Sequence, residues 1–188
     1  MNAAYARPRA LLVDDRRDNL TALEAMLLSL PVGTVAVSSG EEALKQLLID
    51  DDFAVIILDA QMPDMDGFET AEHIKRRVRT RSVPIIFLTA GDRDAQLAMR
   101  GYAVGAVDYL TKPFEPWVLR AKVSVLIDLW AKSRQLESDA ESAQRWLREG
   151  RQLVSTVDEA VALLDAGDAD EAVSVLRQAA EQSRDAFV

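Results

Sequence analysis

Five side chains in this 188-residue chain combine into chemistry that none performs alone: Asp14, Asp15, Asp59, Thr89 and Lys112. Each lies at or just after the end of a short apolar run, LLV before Asp14, VIIL before Asp59, IIFL before Thr89 and YL before Thr111 and Lys112. Three carboxylates brought together without a cation would repel one another strongly, so their convergence makes sense around something positive. Cysteine is absent, which removes disulfides, thiolate catalysis and sulfur-ligated zinc, and His73 stands alone, which argues against a His-based site. Oxygen ligands remain, and they suit a hard ion such as Mg²⁺. Lys112 adds a second positive charge, Thr89 a hydroxyl, and the backbone N–H groups around Ala60 and Ala90 further donors. Such a set is what phosphoryl transfer to a carboxylate requires, with Asp59 as the nucleophile and the metal and lysine neutralising the phosphoryl oxygens.

Taken singly, these residues have ordinary explanations. A strand-end Asp is commonly an Asx turn or a helix cap. Thr89 would be a hydroxyl bonded to backbone, Tyr109 an edge aromatic, and Lys112 a solvated loop residue. MPDMDG, residues 62–67, would be a turn in which Pro63 fixes φ and Gly67 releases it. It is the joint placement of these groups that selects chemistry over architecture.

That placement depends on the elements. Short β-rich apolar runs at 10–13, 34–38, 54–58, 84–88 and 106–110 alternate with amphipathic stretches at about 19–30, 41–49, 68–78 and 93–103. The runs AVIIL and PIIFL are apolar on both faces, as central parallel strands must be. The expected fold is α/β, a doubly wound five-stranded parallel sheet of flavodoxin-like order 2-1-3-4-5. In such a sheet the residues above share one edge, at the C-terminal ends of the strands, where ligand crevices form.

After Pro116 the strand signals cease, and an all-α extension is expected. Leu119, Val123, Leu126 and Trp130 begin an apolar stripe that resumes, after a phase slip, at Leu136, Ala140, Ala143 and Leu147. Either one helix runs on, or Ser138 with Glu141 caps a new one, or Gly150 breaks it. Further on, Gly167 ends a helix and Asp168 with Glu171 caps the next, giving a short hairpin whose stripe of Ala172, Val175, Leu176 and Ala179 needs cover. The domain reading is 1–132 for the α/β unit, including the start of its last helix, and 133–188 for a helical hairpin or coiled-coil interaction region.

DD at 14–15, LDAQMPDMDG at 58–67, LTAG at 88–91 and YLTKP at 109–113 closely resemble the receiver domain of bacterial two-component response regulators, over roughly residues 8–130. By that resemblance Asp59 is the phosphoacceptor. Asp14, Asp15 and Asp59, with the main-chain carbonyl of Gln61, would bind Mg²⁺, Asp15 directly and Asp14 more through water. Thr89, Ala90 and Lys112 would contact the phosphoryl group, with a cis bond at Pro113. Thr89 and Tyr109 would be the switch pair, and the readout face would include residues 93–102 and the region after Phe114. Gln61 and Gly91 hold positions that tune phosphoryl lifetime in the family. The resemblance implies no enzyme beyond self-phosphorylation and dephosphorylation of the aspartate, and a sensor histidine kinase or phosphotransfer protein as phosphodonor.

Output is read from the remaining helices. No Gly-rich phosphate loop, nucleophile elbow or metal-ligand cluster follows residue 130. From residue 138 to 188 there are five Arg and no Lys against eleven acidic residues, and the whole chain carries −9, so counterion release works against nucleic acid. The expected output is therefore a homodimer through the C-terminal helices, or a downstream protein partner, under phosphorylation control. DNA is not expected. The alternatives are an RNA-binding antitermination-type output, which DEAVSVLRQAAEQSR faintly resembles, and a phosphorelay shuttle with no output of its own. No membrane span is expected, and with no signal-like N-terminus the expected location is cytoplasmic.

Overall fold

A computed structural model describes residues 7–90 and 108–186, which fall into two units, Met1–Ser133 and Arg134–Val188. In the first unit, five strands pair in parallel as β2-β1-β3-β4-β5: β1 (Arg9–Val13), β2 (Gly33–Val37), β3 (Val55–Asp59), β4 (Ile85–Thr89) and β5 (Asp108–Thr111). Among the described residues three helices alternate with them, α1 (Arg17–Leu27), α2 (Gly40–Ile49) and α3 (Gly67–Arg76), and α4 (Pro116–Asp165) follows β5. The flavodoxin-like order is the one expected. The stretch assigned to a helix at 93–103, the first two residues of the strand at 106–110, Gly91 and the readout residues 93–102 lie outside the described residues.

Strand alternation builds two cores. Leu12, Ile57, Ile86 and Leu88 join Leu20, Leu23 and Leu27 of α1 with Leu119, Val123 and Ile127 of α4. On the other face Leu11, Ile56, Leu58, Ile85 and Phe87 join Ala43 and Leu47 of α2 with Phe68, Ala71 and Ile74 of α3. β3 is buried along its whole length, as a central strand covered on both faces must be. Each fully buried Ile or Leu there contributes about 1.5–3 kcal/mol. The strand's place in the sheet is therefore strongly fixed, and Asp59 with it.

Some boundaries differ from the reading by a residue or more. α1 starts at Arg17 rather than 19 and ends at Leu27, because the chain closes a tight turn, Leu30 N–H to the Leu27 carbonyl at 2.9 Å, ahead of Pro31. α2 starts where Ser39 caps it, accepting from the Glu42 N–H, while Glu42 accepts in return from the Ser38 N–H at 2.8 Å. Trp130 is partly buried against the α1 face and donates its indole N–H to Asp52 at 3.1 Å.

The alternatives left open after Pro116 resolve to one helix: α4 runs unbroken through Ser138 and Gly150. A lone helical glycine costs roughly 1 kcal/mol and does not by itself end a helix. In the second unit α4 terminates in a Schellman motif, with Gly167 at φ 89°, the Gly167 N–H bonded to Leu164 and the Asp168 N–H to Leu163. α5 (Ala169–Ala186) follows. Of its expected stripe Ala172 is buried, Val175 and Ala179 are half-buried and Leu176 is exposed. Among the described residues no helix is long and apolar enough to cross a membrane.

Candidate functional site

Parallel register assembles the site. Val13 lies opposite Leu58 and Asp59 opposite Leu88, so Asp14, one residue past β1, falls beside Asp59, and Thr89 one step beyond Leu88. Thr89 is opposite Thr111, which brings Lys112 to the same edge, its N–H bonded to the Thr89 carbonyl at 2.7 Å. Carboxylate oxygens of Asp14, Asp15 and Asp59 lie within 4.8 Å of one another.

Burial within this trio is uneven. Asp14 is fully buried and Asp59 nearly so, whereas Asp15 is exposed. The Lys112 ammonium bridges the two buried acids, 2.7 Å from Asp59 Oδ1 and 3.0 Å from Asp14 Oδ2. Burial raises the pKa of Asp59. Lys112 opposes that through its hydrogen bond and charge, but the neighbouring Asp14 and Asp15 add to the rise. For Lys112 burial acts downward, and the hydrogen bonds to Asp59 and Asp14 outweigh it, so its pKa is raised. The buried acid is thus under-compensated by one lysine, a deficit that a cation among the three carboxylates would remove. Donors that are all oxygen, at this spacing and two of them buried, fit a hard divalent ion such as Mg²⁺.

The other anticipated residues take these places. Thr89 is half-buried at the end of β4, and Ala90 follows it, exposed. Gln61 is exposed two residues after Asp59. Tyr109, on β5, is 44% exposed. The Lys112–Pro113 peptide is cis. Between α1 and the β5–α4 connection lies a cavity of about 210 Å³ with Asp14, Asn19 and Lys112 at its polar end and Leu23, Met26, Leu88 and Phe114 among its apolar walls.

Two residues of the site escaped the sequence reading. Gly67 does not release φ in the loop, a conformation taken instead by Asp64 at φ 64°. Its role is close approach: a Cβ at Gly67 would lie 2.1 Å from the Asp59 carbonyl oxygen. Only glycine lets the start of α3 press against the end of β3. Asp66 caps that helix through the Glu69 N–H at 2.7 Å. Asn19 is the second, its amide bonded to both oxygens of Asp14 at 2.8 and 2.9 Å. An Asn four residues after an acidic pair was the available signal.

A five-stranded doubly wound sheet with an acidic trio and a lysine at its C-terminal edge defines a class, and comparison with known proteins places the chain within it. The family model for the response regulator receiver domain matches residues 10–124; the chain belongs to that family. It is similar to the transcriptional regulatory protein GltR of Pseudomonas aeruginosa, 37% identical over 62% of this chain and 48% of that protein. Among solved structures it is similar to the chemotaxis protein CheY4 of Vibrio cholerae, 30% identical over 64% of this chain and 99% of that one, with a TM-score of 0.60. It is likewise similar to the signal receiver domain of a signal transduction histidine kinase from Syntrophus aciditrophicus, 30% identical over 64% and 90%, with a TM-score of 0.59. The chain spans about half the length of the first curated relatives it matches.

Proposed function

We propose that this protein is a two-component response regulator that accepts a phosphoryl group on Asp59 and uses it to control association through its C-terminal helices. The observation that carries the reading is Lys112 bridging two buried carboxylates that a third approaches within 4.8 Å. Asp14, Asp15 and Asp59, with the Gln61 carbonyl, would hold Mg²⁺, which when bound supplies positive charge to the phosphoryl oxygens. Asp59 is the nucleophile: an oxygen–phosphorus bond forms as the bond from phosphorus to the donor's histidine nitrogen breaks. Lys112 follows the phosphoryl oxygens, and the Thr89 hydroxyl and Ala90 N–H complete their donor set. Tyr109, 44% exposed, is the ring that turns inward as Thr89 moves. Phosphorylation then favours the state in which Thr89 and Lys112 reach the phosphoryl group. No other catalysis is assigned to the chain.

The phosphodonor is a sensor histidine kinase or phosphotransfer protein, in the cytoplasm. Support for a homodimer as output lies in α4: Leu136, Ala140, Ala143, Leu147, Val154, Val157, Val161 and Leu164 follow one four-three spacing in which Gly150 takes the position between Leu147 and Val154, and Leu136, Leu147 and Val154 are each more than 60% exposed. Such a stripe on a helix suits a second helix of the same period. The names of the first curated relatives speak of transcriptional regulation, but the matched part is the receiver, and the acidic helices of this chain favour protein over DNA or RNA. With Mg²⁺ and a small phosphodonor the full chain should label, and Asp59→Asn should not. Equal labelling of the variant would refute the assignment, and a mass unchanged by the phosphoryl group would favour a shuttle without output.

A further inference from the structure

Asp14 is fully buried, so its oxygens depend on protein donors. Oδ1 accepts from the Arg16 N–H at 3.0 Å and Oδ2 from Lys112 at 3.0 Å. Asn19, on the first turn of α1, donates its amide to both, at 2.8 Å and 2.9 Å. Turned the other way, that amide would set its oxygen against two carboxylate oxygens, so chemistry fixes its orientation. Lys112 is shared with Asp59 at 2.7 Å. Any event that draws the lysine toward an anion on Asp59 leaves Asn19 as the side-chain donor for Asp14 Oδ2.

We infer that Asn19 is a positioning residue for the acidic site: it holds Asp14 satisfied and aimed while Lys112 is engaged elsewhere, and so sets the affinity of the site for a divalent cation. This rests on the function proposed above. Neutrality is part of the argument. An Arg or Lys in its place could satisfy Asp14 equally well but would put a second cation beside three carboxylates and weaken their attraction for the metal. An amide donates hydrogen bonds and adds no net charge. Removing such a partner from a metal-holding group typically costs ten- to a hundredfold in affinity.

The test compares the full chain with Asn19→Leu and Asn19→Ala. Mg²⁺ binding is measured by calorimetric titration, and the thermal midpoint is measured without Mg²⁺. Leu fills the space and offers no donor, so Mg²⁺ affinity should fall about ten- to a hundredfold. Ala opens room for a water that can donate in place of the amide, and its loss should be several times smaller. A packing role predicts the opposite order, with Ala the more damaging, and that order would overturn the inference. So would affinity within twofold of wild type in Asn19→Leu or, should that variant not fold, in Asn19→Ala. Failure of the wild type itself to bind Mg²⁺, or labelling of Asp59→Asn, would instead remove the underlying function.

Discussion

Replacing Asp59 by Asn should stabilise the protein in the absence of divalent cations, although it removes an ion pair. Asp59 lies 2.7 Å from Lys112 and within 4.8 Å of Asp14 and Asp15. At an effective dielectric constant near 20, the attraction to Lys112 is about 6 kcal/mol and the repulsion from Asp14 about 3.5 kcal/mol. Asp15 is exposed, and solvent reduces its repulsion to about 1 kcal/mol. Holding the Asp59 carboxylate in a mostly buried site costs roughly 2.5 kcal/mol more. Asn keeps an oxygen to accept from Lys112, which retains about 1 kcal/mol. The balance favours the variant by about 2 kcal/mol, in the direction given by the raised Asp59 pKa, whose first cause is burial. For a unit of this size that is about 6 °C in the melting midpoint. The sign with pH follows. A carboxylate raised in the folded state carries no penalty below its unfolded pKa, about 3.9, and the full penalty above its folded value. The gap between variant and wild type should therefore close as pH falls toward 4. Saturating Mg²⁺ should reverse the order, since a ligand at a hundredfold its Kd adds about 2.7 kcal/mol to a protein that binds it, and the variant has lost a ligand. Thermal melts by circular dichroism, with and without Mg²⁺, measure all of this. A metal-free Asp59→Asn protein that melts at or below wild type would refute the electrostatic account.

Gly67→Ala should destabilise the receiver by about 1–3 kcal/mol, because its Cβ would meet the Asp59 carbonyl oxygen at 2.1 Å and the Ala60 Cα at 2.9 Å. Urea unfolding measures the loss, and labelling by a small phosphodonor should slow as the end of β3 shifts. Gly150→Ala should stabilise α4 by about 0.5–1 kcal/mol, since nothing lies within 4 Å of the added methyl. A rise in the melting midpoint of the helical signal checks it, and a fall would mean that the glycine seats something against the helix.

The sheet could be read from the sequence because β3 and β4 are apolar on both faces, and that pattern has few alternatives. The acids and Lys112 were placed by the same logic, since parallel strands share a C-terminal edge and each residue lies at or just after the end of a strand. Gly67 could not be read: its reason is the distance between the start of α3 and the Asp59 carbonyl, a contact between two elements that no local pattern records. Asn19 was hidden for a related reason. A first-turn Asn on an amphipathic helix is ordinary, and its partner Asp14 is set by how α1 leaves the sheet. Through Ser138 and Gly150 the sequence offered a cap and a breaker, but both are weak local preferences, of order 1 kcal/mol, that one continuous helix overrides.

The site sits on β3 because that strand can bear its cost. The cluster around Asp59 costs the metal-free fold about 2 kcal/mol by the balance above, and a marginal element would answer such a cost by moving the acid into water. Val55, Ile56, Ile57 and Leu58 are all fully buried, and at about 1.5–3 kcal/mol each they hold the strand against that displacement several times over. Thr89 and Lys112 are anchored in the same way, by Ile85–Leu88 and by the register of β5 on β4. Asp15, by contrast, lies just outside the buried run and is exposed. The two acids that Lys112 bridges, Asp14 and Asp59, are therefore the ones the core holds firmly, and Asp15 is the one it does not hold.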